Sequence, residues 1–387
     1  MVEAAPLTAP LTGPLDAILE QAVRGGDLVA AAVAVTTPRG TYATAAGEAT
    51  AGRAMTPDTV VWIASMTKAI TTAAVMALVE QGLIDLRDPG GRYVPFLADL
   101  SVLHGFDAAG DPVLRPAARP VTVHDLLTHT SGFGYEFADA QLARYMAERR
   151  VLGRARYEQP LLFDPGERWA YGIGIDWAGQ IVEAVTGERL DRHLERTVLG
   201  PLAMADTTFA LPGAAPVAVA DMYTRGPDGL VAVPFEMVSD PKFVPGGSGL
   251  FGTVADYLRF TRMILGQGAL DGVRVLAPGT VAAMAANAIG TLPVTGWRTA
   301  NPAYSHDVDF FPGMHQGWGL SFLINTETTP EGRRPGSLGW GGLANTYYWI
   351  DPAAQIAGVF ATQVLPFFDP PAVATCRAVE RAVYASL

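Results

Sequence analysis

Residues 65–82 read SMTKAITTAAVMALVEQG, an Ala-, Met- and Thr-rich run that is apolar on nearly all sides and ends on a glycine. A helix with no polar face belongs at the centre of a core, surrounded by other elements. Glycine after the last turn is the residue that closes such a helix most easily. A central helix needs a large structure around it. The chain has 387 residues and a hydrophobic fraction of 49%, enough for one large domain or two moderate ones.

The flanking segments suggest what surrounds it. An amphipathic helix is expected from about Leu15 to Val23, ending at Gly25-Gly26. LVAAAVAVTTPRGTYATAAGEA reads as a hairpin about Pro38-Arg39-Gly40, and Asp58–Ala64 as a further extended segment. From about 86 to 250 the chain is rich in proline and carries helical patterns (TVHDLLTHT, DAQLARYMAERRVL, IDWAGQIVEAVTGERLDRHLERTVL) with little strand signal. After about 251 a helix, TVADYLRFTRMILGQG, precedes the strand-like GWGLSFLIN, GSLGWGG, NTYYWID and QIAGVFATQ, and PAVATCRAVERAVYASL closes the chain as a helix. The late strands have connections too short for crossover helices, so consecutive antiparallel pairing is expected. The two ends, 1–85 and 251–387, read as one α/β (α+β) sheet domain, with 86–250 a mainly helical inserted domain.

Composition excludes several classes of function. The net charge of −11, a pI near 5.0 and the lack of any Lys/Arg-rich run argue against nucleic-acid or anionic-membrane partners. The single Cys376 excludes an intramolecular disulfide and a cysteine-based metal cluster. The N-terminus lacks the basic and apolar regions of a signal peptide. The most apolar window, LVAAAVAV, is far too short to cross a bilayer. A soluble cytoplasmic protein is the expectation. No metal or cofactor is implied: His-Glu-x-x-His is absent, and PGGSGLFG lacks the lysine of a phosphate loop and reads as a tight turn.

The central run also holds one of only two lysines in the chain, Lys68, three residues after Ser65. Near a helix start such a pair shares one face, with Cβ atoms about 5–6 Å apart. A serine hydroxyl is a weak nucleophile until a neighbouring base takes its proton. Lysine can be that base when burial favours its neutral form, whereas arginine stays charged. A second match, Ser239-Asp-Pro-Lys242, contains a proline and reads as a loop in which the two side chains have no reason to meet. Ser65 sits where a first-turn backbone N–H is free to hold an oxyanion. Tyr171, in ERWAYGIGIDW, offers a hydroxyl that can relay protons, though a packed loop aromatic fits that position too. His129, in LLTHTSG, reads as a hydrogen-bonded structural histidine.

Taken together, the ordered motifs resemble the serine β-lactamase/penicillin-binding-protein superfamily, and within it the family VIII carboxylesterases related to class C β-lactamases. The motifs are Ser65-Met66-Thr67-Lys68, GLIDLRDPGGRYVP, VHDLLTHTSGFGY, PGERWAYG, PGGSGLFGTVADY and GWGG. The resemblance implies an antiparallel sheet flanked by helices, with the active site between the sheet and the inserted domain. It implies Ser65 as the acylated nucleophile, with Lys68 and Tyr171 sharing the proton traffic. The oxyanion donors would be the backbone N–H groups of Ser65 and Leu343. Tyr135, Trp340, Gly341 and Gly342 would contact substrate.

Two departures from the lactamase pattern bear on specificity. Tyr171-Gly172-Ile173 stands where Tyr-x-Asn is usual, and Trp340-Gly341-Gly342 where a cationic residue begins the triplet. Both make the pocket more apolar and favour a short, uncharged ester over an anionic β-lactam or peptide carboxylate. The expectation is a serine carboxylesterase acting on a small-molecule ester. A β-lactamase, a D-amino-acid peptidase or amide hydrolase, an acyltransferase, and a non-catalytic binding protein remain as alternatives.

Overall fold

The structure, a computed structural model, describes residues 9–148, 157–209, 219–235 and 243–386. Its centre is an antiparallel sheet in the order 316–318, 323–325, 338–342, 346–351, 356–361, 30–37, 40–50 and 53–54. The N-terminal hairpin therefore adds directly to the C-terminal strands, with Val35 opposite Gly358 and Ala34 opposite Val359. The fold is the mixed α/β arrangement expected from the sequence. The late strands pair consecutively, as their short connections require.

Both faces of the sheet are covered, which explains the unbroken apolar run LVAAAVAV. Ala31, Val33 and Val35 point to one side, where they pack with the helices Ala9–Arg24 and Pro370–Ala385. Ala32 and Ala34 point to the other, toward the helices Thr67–Glu80 and Val254–Leu265. A strand alternates its side chains between faces, so a strand buried on both sides has no polar positions to show. The central helix, Thr67–Glu80, is buried from Thr67 through Met76, and Gly82 beyond it takes a φ of +71°.

Two sequence readings are corrected. GWGLSFLIN forms not one strand but two, Gln316–Trp318 and Leu323–Asn325, because Ser321 turns with a φ of +73° and the Gly319 N–H donates to Phe322 O. The region from 86 to 250, read as mainly helical with little strand signal, holds more strand than expected. Besides the helices Val123–Thr128, Ala140–Glu148, Gly174–Thr186 and Leu190–Leu194 it holds two small hairpins, 101–106 with 112–116 and 222–226 with 229–233. Each closes on an Asp/Gly turn, a signal overlooked beside the stronger helical periodicities. Ser239 and Lys242 lie outside the described residues. Among those residues no helix is long and apolar enough to cross a membrane.

Candidate active site

Ser65 lies on a 3₁₀ turn, Ala64–Met66, that leads into the central helix. Ala64 holds a φ of +46°, a left-handed value that strains a residue with a Cβ. Three contacts hold the turn in that shape. Thr67 Oγ1 donates to Ala64 O at 2.6 Å, the Leu250 N–H donates to Thr67 Oγ1 at 3.1 Å, and Tyr257 OH donates to Met66 O at 2.9 Å. Burial, then the neighbouring Tyr348, pushes the Tyr257 phenol well above its ordinary pKa, so it remains a donor.

Lys68 is 1% exposed, and its Nζ lies 3.2 Å from Ser65 Oγ, 2.9 Å from Tyr135 OH and 2.7 Å from Gly247 O. These oxygens suit either protonation state. An ammonium can donate to all three. A neutral amine can donate to Gly247 O and the Tyr135 oxygen while its lone pair accepts the Ser65 proton. No rearrangement is needed between the two states, which is what a base that takes and returns a proton requires.

The glycines of PGGSG bring that carbonyl into place. The Gly246 carbonyl accepts from Thr71 Oγ1 at 2.7 Å and the Gly247 N–H donates to Asp176 Oδ1 at 2.9 Å. A Cβ on Gly247 would stand 2.3 Å from Asp176 Oδ2, so close backbone approach rather than turn geometry selects glycine there.

Tyr171 stands against Lys68 by its ring, with Nζ 4.8 Å from the ring centroid. Its hydroxyl oxygen accepts from Trp340 Nε1 at 3.2 Å. An indole N–H can only donate, so the Tyr171 proton is left to point elsewhere. Gly172 lets this segment cross the Phe133 backbone, since a Cβ there would fall 2.1 Å from Phe133 O. Ile173 then faces the pocket. The residue after the tyrosine is thus fixed by packing.

His129 caps the helix Val123–Thr128 in a left-handed conformation, φ +57°. Its Nδ1 accepts from the Gly172 N–H at 3.4 Å, and its ring meets Tyr171 edge-on at 4.9 Å. Burial, then the charge of Lys68, holds its pKa well below the ordinary value, so the ring is neutral. It supports the Tyr171 segment from behind.

The strand Leu338–Gly342 forms the opposite wall. A Cβ on Gly342 would lie 2.3 Å from Ile63 O, so glycine lets this strand close on the backbone just before Ser65. Ser65, Gly341 and Leu343 all line one pocket of about 260 Å³. Trp340, 5% exposed, packs edge-on against Trp318 at 4.7 Å and beside Phe310 at 5.0 Å, so it is anchored in a ring cluster as well as facing the pocket.

The structure thus brings together Ser65, Lys68, Tyr135, Tyr171, Trp340, Gly341 and Leu343. Tyr135, expected as a substrate contact, has its hydroxyl on the lysine. Sequence reasoning did not find the pocket aromatics Trp62, Phe137, Phe235 and Trp297. They come from four separate segments and belong to no motif. Among the described residues, no group of three or more His, Cys, Asp or Glu is placed to hold a metal ion.

The site thus sets a serine on a strained turn before a buried helix, with a lysine one turn on and a Trp-Gly-Gly strand facing it. The chain belongs to the Beta-lactamase family, which it matches over residues 15–379. It is 32% identical to the lovastatin esterase of Penicillium rubens over 382 residues, covering 91% of this chain and 93% of that protein. It is also 32% identical to the monacolin J acid methylbutanoyltransferase of Aspergillus terreus over 346 residues, 85% of this chain and 82% of that one. Among solved structures, unliganded simvastatin synthase (LovD) from Aspergillus terreus superposes with a TM-score of 0.84 at 28% identity, covering 98% of this chain and 99% of that one.

Proposed function

We propose that the protein cleaves uncharged carboxylic esters through an acyl-enzyme on Ser65. The observation that carries this reading is the buried Lys68 amine 3.2 Å from Ser65 Oγ. As Oγ attacks the ester carbonyl, its proton passes to Nζ. The oxyanion is held by the backbone N–H groups of Ser65 and Leu343. The leaving oxygen takes the proton of Tyr171, and a solvent water passes the Lys68 proton to the tyrosinate, since Nζ meets the Tyr171 ring rather than its hydroxyl. Tyr135 keeps Nζ in line throughout. Water or a second alcohol then attacks the acyl-serine by the reverse path.

The pocket supports an uncharged substrate. Its described lining carries no arginine or lysine, and its acids are Glu136 and Asp176. Away from Lys68 and the oxyanion donors at Ser65, an anionic substituent entering it sheds water with no cation in the lining to meet it. A second reading, transfer of the acyl group to an alcohol, is favoured by the relatives named for methylbutanoyl transfer.

The test is p-nitrophenyl butyrate beside nitrocefin, with the Ser65 adduct mapped by mass spectrometry. Preferred turnover of nitrocefin, or an adduct on another serine, defeats the ester reading. Adding a primary alcohol and measuring butyrate ester against butyric acid separates transfer from hydrolysis.

A further inference from the structure

The segment 362–369, which follows the central strand 356–361, is hydrogen-bonded both to the chain just before Ser65 and to the turn that carries Leu343. We propose that this segment is a frame that sets the separation of the two oxyanion donors, the backbone N–H groups of Ser65 and Leu343, with Gln363 and Asn345 as its positioning residues. The inference rests on the acyl-enzyme reading above and adds to it two residues that lie outside the motifs carrying the resemblance.

Gln363 holds the nucleophile side. It is 5% exposed; its Oε1 accepts from the Trp62 N–H at 2.9 Å, and its Nε2 donates to Trp62 O at 3.1 Å and to Thr362 O at 2.7 Å. Trp62 ends the short strand Val61–Trp62, which pairs with Phe251–Gly252. One side-chain amide thus supplies both the donor and the acceptor that a neighbouring strand would give this edge. Only Ile63 and the strained Ala64 separate Trp62 from Ser65, so a shift at Trp62 is carried to the Ser65 N–H.

Asn345 holds the other side. Gly342 pairs with Thr346, so Leu343, Ala344 and Asn345 form the turn between two strands, and Asn345 closes it in the left-handed region at φ +57°. Asparagine tolerates that conformation, and this one is fully buried. Its Nδ2 donates to Val364 O at 2.8 Å and to Pro366 O at 2.9 Å, and its Oδ1 accepts from Tyr347 OH at 2.7 Å and from the Asp369 N–H at 3.0 Å. Every hydrogen-bonding site of the amide is used, and all but the one for Tyr347 lie on the frame. Glycine would meet the backbone demand alone, so the side chain answers to these bonds. Gln363 and Val364 are consecutive, so the two clamps are joined by one peptide unit. The direct polar link across the gap, Thr346 Oγ1 to Ile63 O, is long at 3.4 Å. A tetrahedral oxyanion needs both donors at about 2.7–3.1 Å from one point, and the frame holds two separate backbone segments to that tolerance.

Gln363→Met and Asn345→Gly, singly and together, test this. The assays are kcat for p-nitrophenyl butyrate, its dependence on pH, and inhibition by n-propylboronic acid, in which boron replaces the butyryl carbonyl carbon. Its adduct on Ser65 places a tetrahedral oxygen between the two donors. Deleting one oxyanion donor costs about 10²–10³ in kcat, so displacing one is expected to cost at least about tenfold in each single variant. Boronic-acid affinity should weaken by a similar factor, a loss that a smaller folded fraction would not produce. The acid limb of kcat should stay in place, because Lys68 keeps its contacts. The double variant should lose less than the product of the singles, because both act on one separation. Where a variant fails to fold, the same measurements are made on Gln363→Glu, which keeps the acceptor for Trp62, or Asn345→Asp, which keeps that for Tyr347 and Asp369. Unchanged boronic-acid affinity, a shifted acid limb, or single losses that multiply in full would overturn the frame. If the wild type neither cleaves the ester nor forms the Ser65 adduct, the acyl-enzyme reading itself falls, and this inference with it. Wild-type turnover with unaffected variants sinks this inference alone.

Discussion

Two tyrosines flank Lys68, and their hydrogen bonds assign them different work. Tyr135 accepts from Nζ at 2.9 Å, while Tyr171 accepts from Trp340 and keeps its own proton for another acceptor. Under the proposed mechanism, replacing Tyr171 with Phe removes the proton donor to the leaving oxygen, and loss of a positioned general acid costs about 10²–10⁴ in rate. That is about 3–5 kcal/mol of transition-state stabilisation. Replacing Tyr135 with Phe removes one hydrogen bond to an amine still held by Ser65 and Gly247. Such a bond is worth about 1 kcal/mol net, or roughly fivefold in rate. Tyr171→Phe also strands the buried Trp340 N–H, which should lower stability by about 1–3 kcal/mol. The assay is p-nitrophenol release from the butyrate ester, with kcat and KM taken separately well below the melting midpoint of each variant. KM should move little in either. If Tyr135→Phe loses more than Tyr171→Phe, or if Tyr171→Phe keeps above a tenth of wild-type kcat, the assignment of the two hydroxyls is wrong.

Other outcomes follow from the same geometry. Lys68→Arg should lose several orders of magnitude in kcat, because a guanidinium cannot accept the serine proton; retention of a tenth of the activity would require another base. Gly342→Ala places a methyl 2.3 Å from Ile63 O, pushing the strand away from the nucleophile turn. It should cost about 1–3 kcal/mol in thermal or denaturant unfolding and lower kcat with it; unchanged kcat would show that the strand does not form the oxyanion site. His129 is held neutral when folded, with its pKa below the ordinary 6.5. The unfolded chain therefore binds the proton first on acidification, so this stability is present above pH 6.5 and lost as pH falls below it. His129→Asn keeps a residue that tolerates the left-handed cap and an acceptor for the Gly172 N–H. Its melting temperature should depend less steeply on pH below 6.5, and an unchanged slope would show that His129 does not carry the effect.

The sequence by itself determined the elements whose signals are local. The apolar helix after Ser65, the consecutive late strands and the Ser-x-x-Lys spacing depend on periodicity and on residues a turn apart, and all are legible along the chain. The pairing of 30–37 with 356–361 was anticipated only as a union of the two ends, since its register is set by packing on both faces. Tertiary structure alone decided the proton geometry. Nothing in the motifs distinguishes a hydroxyl on Nζ from a ring beside it; that depends on where Trp340 directs its N–H, across 169 residues of chain. It also decided the glycines: Gly172, Gly247 and Gly342 are fixed by backbone atoms of remote segments or by Asp176, and a lone glycine in sequence does not reveal what approaches it.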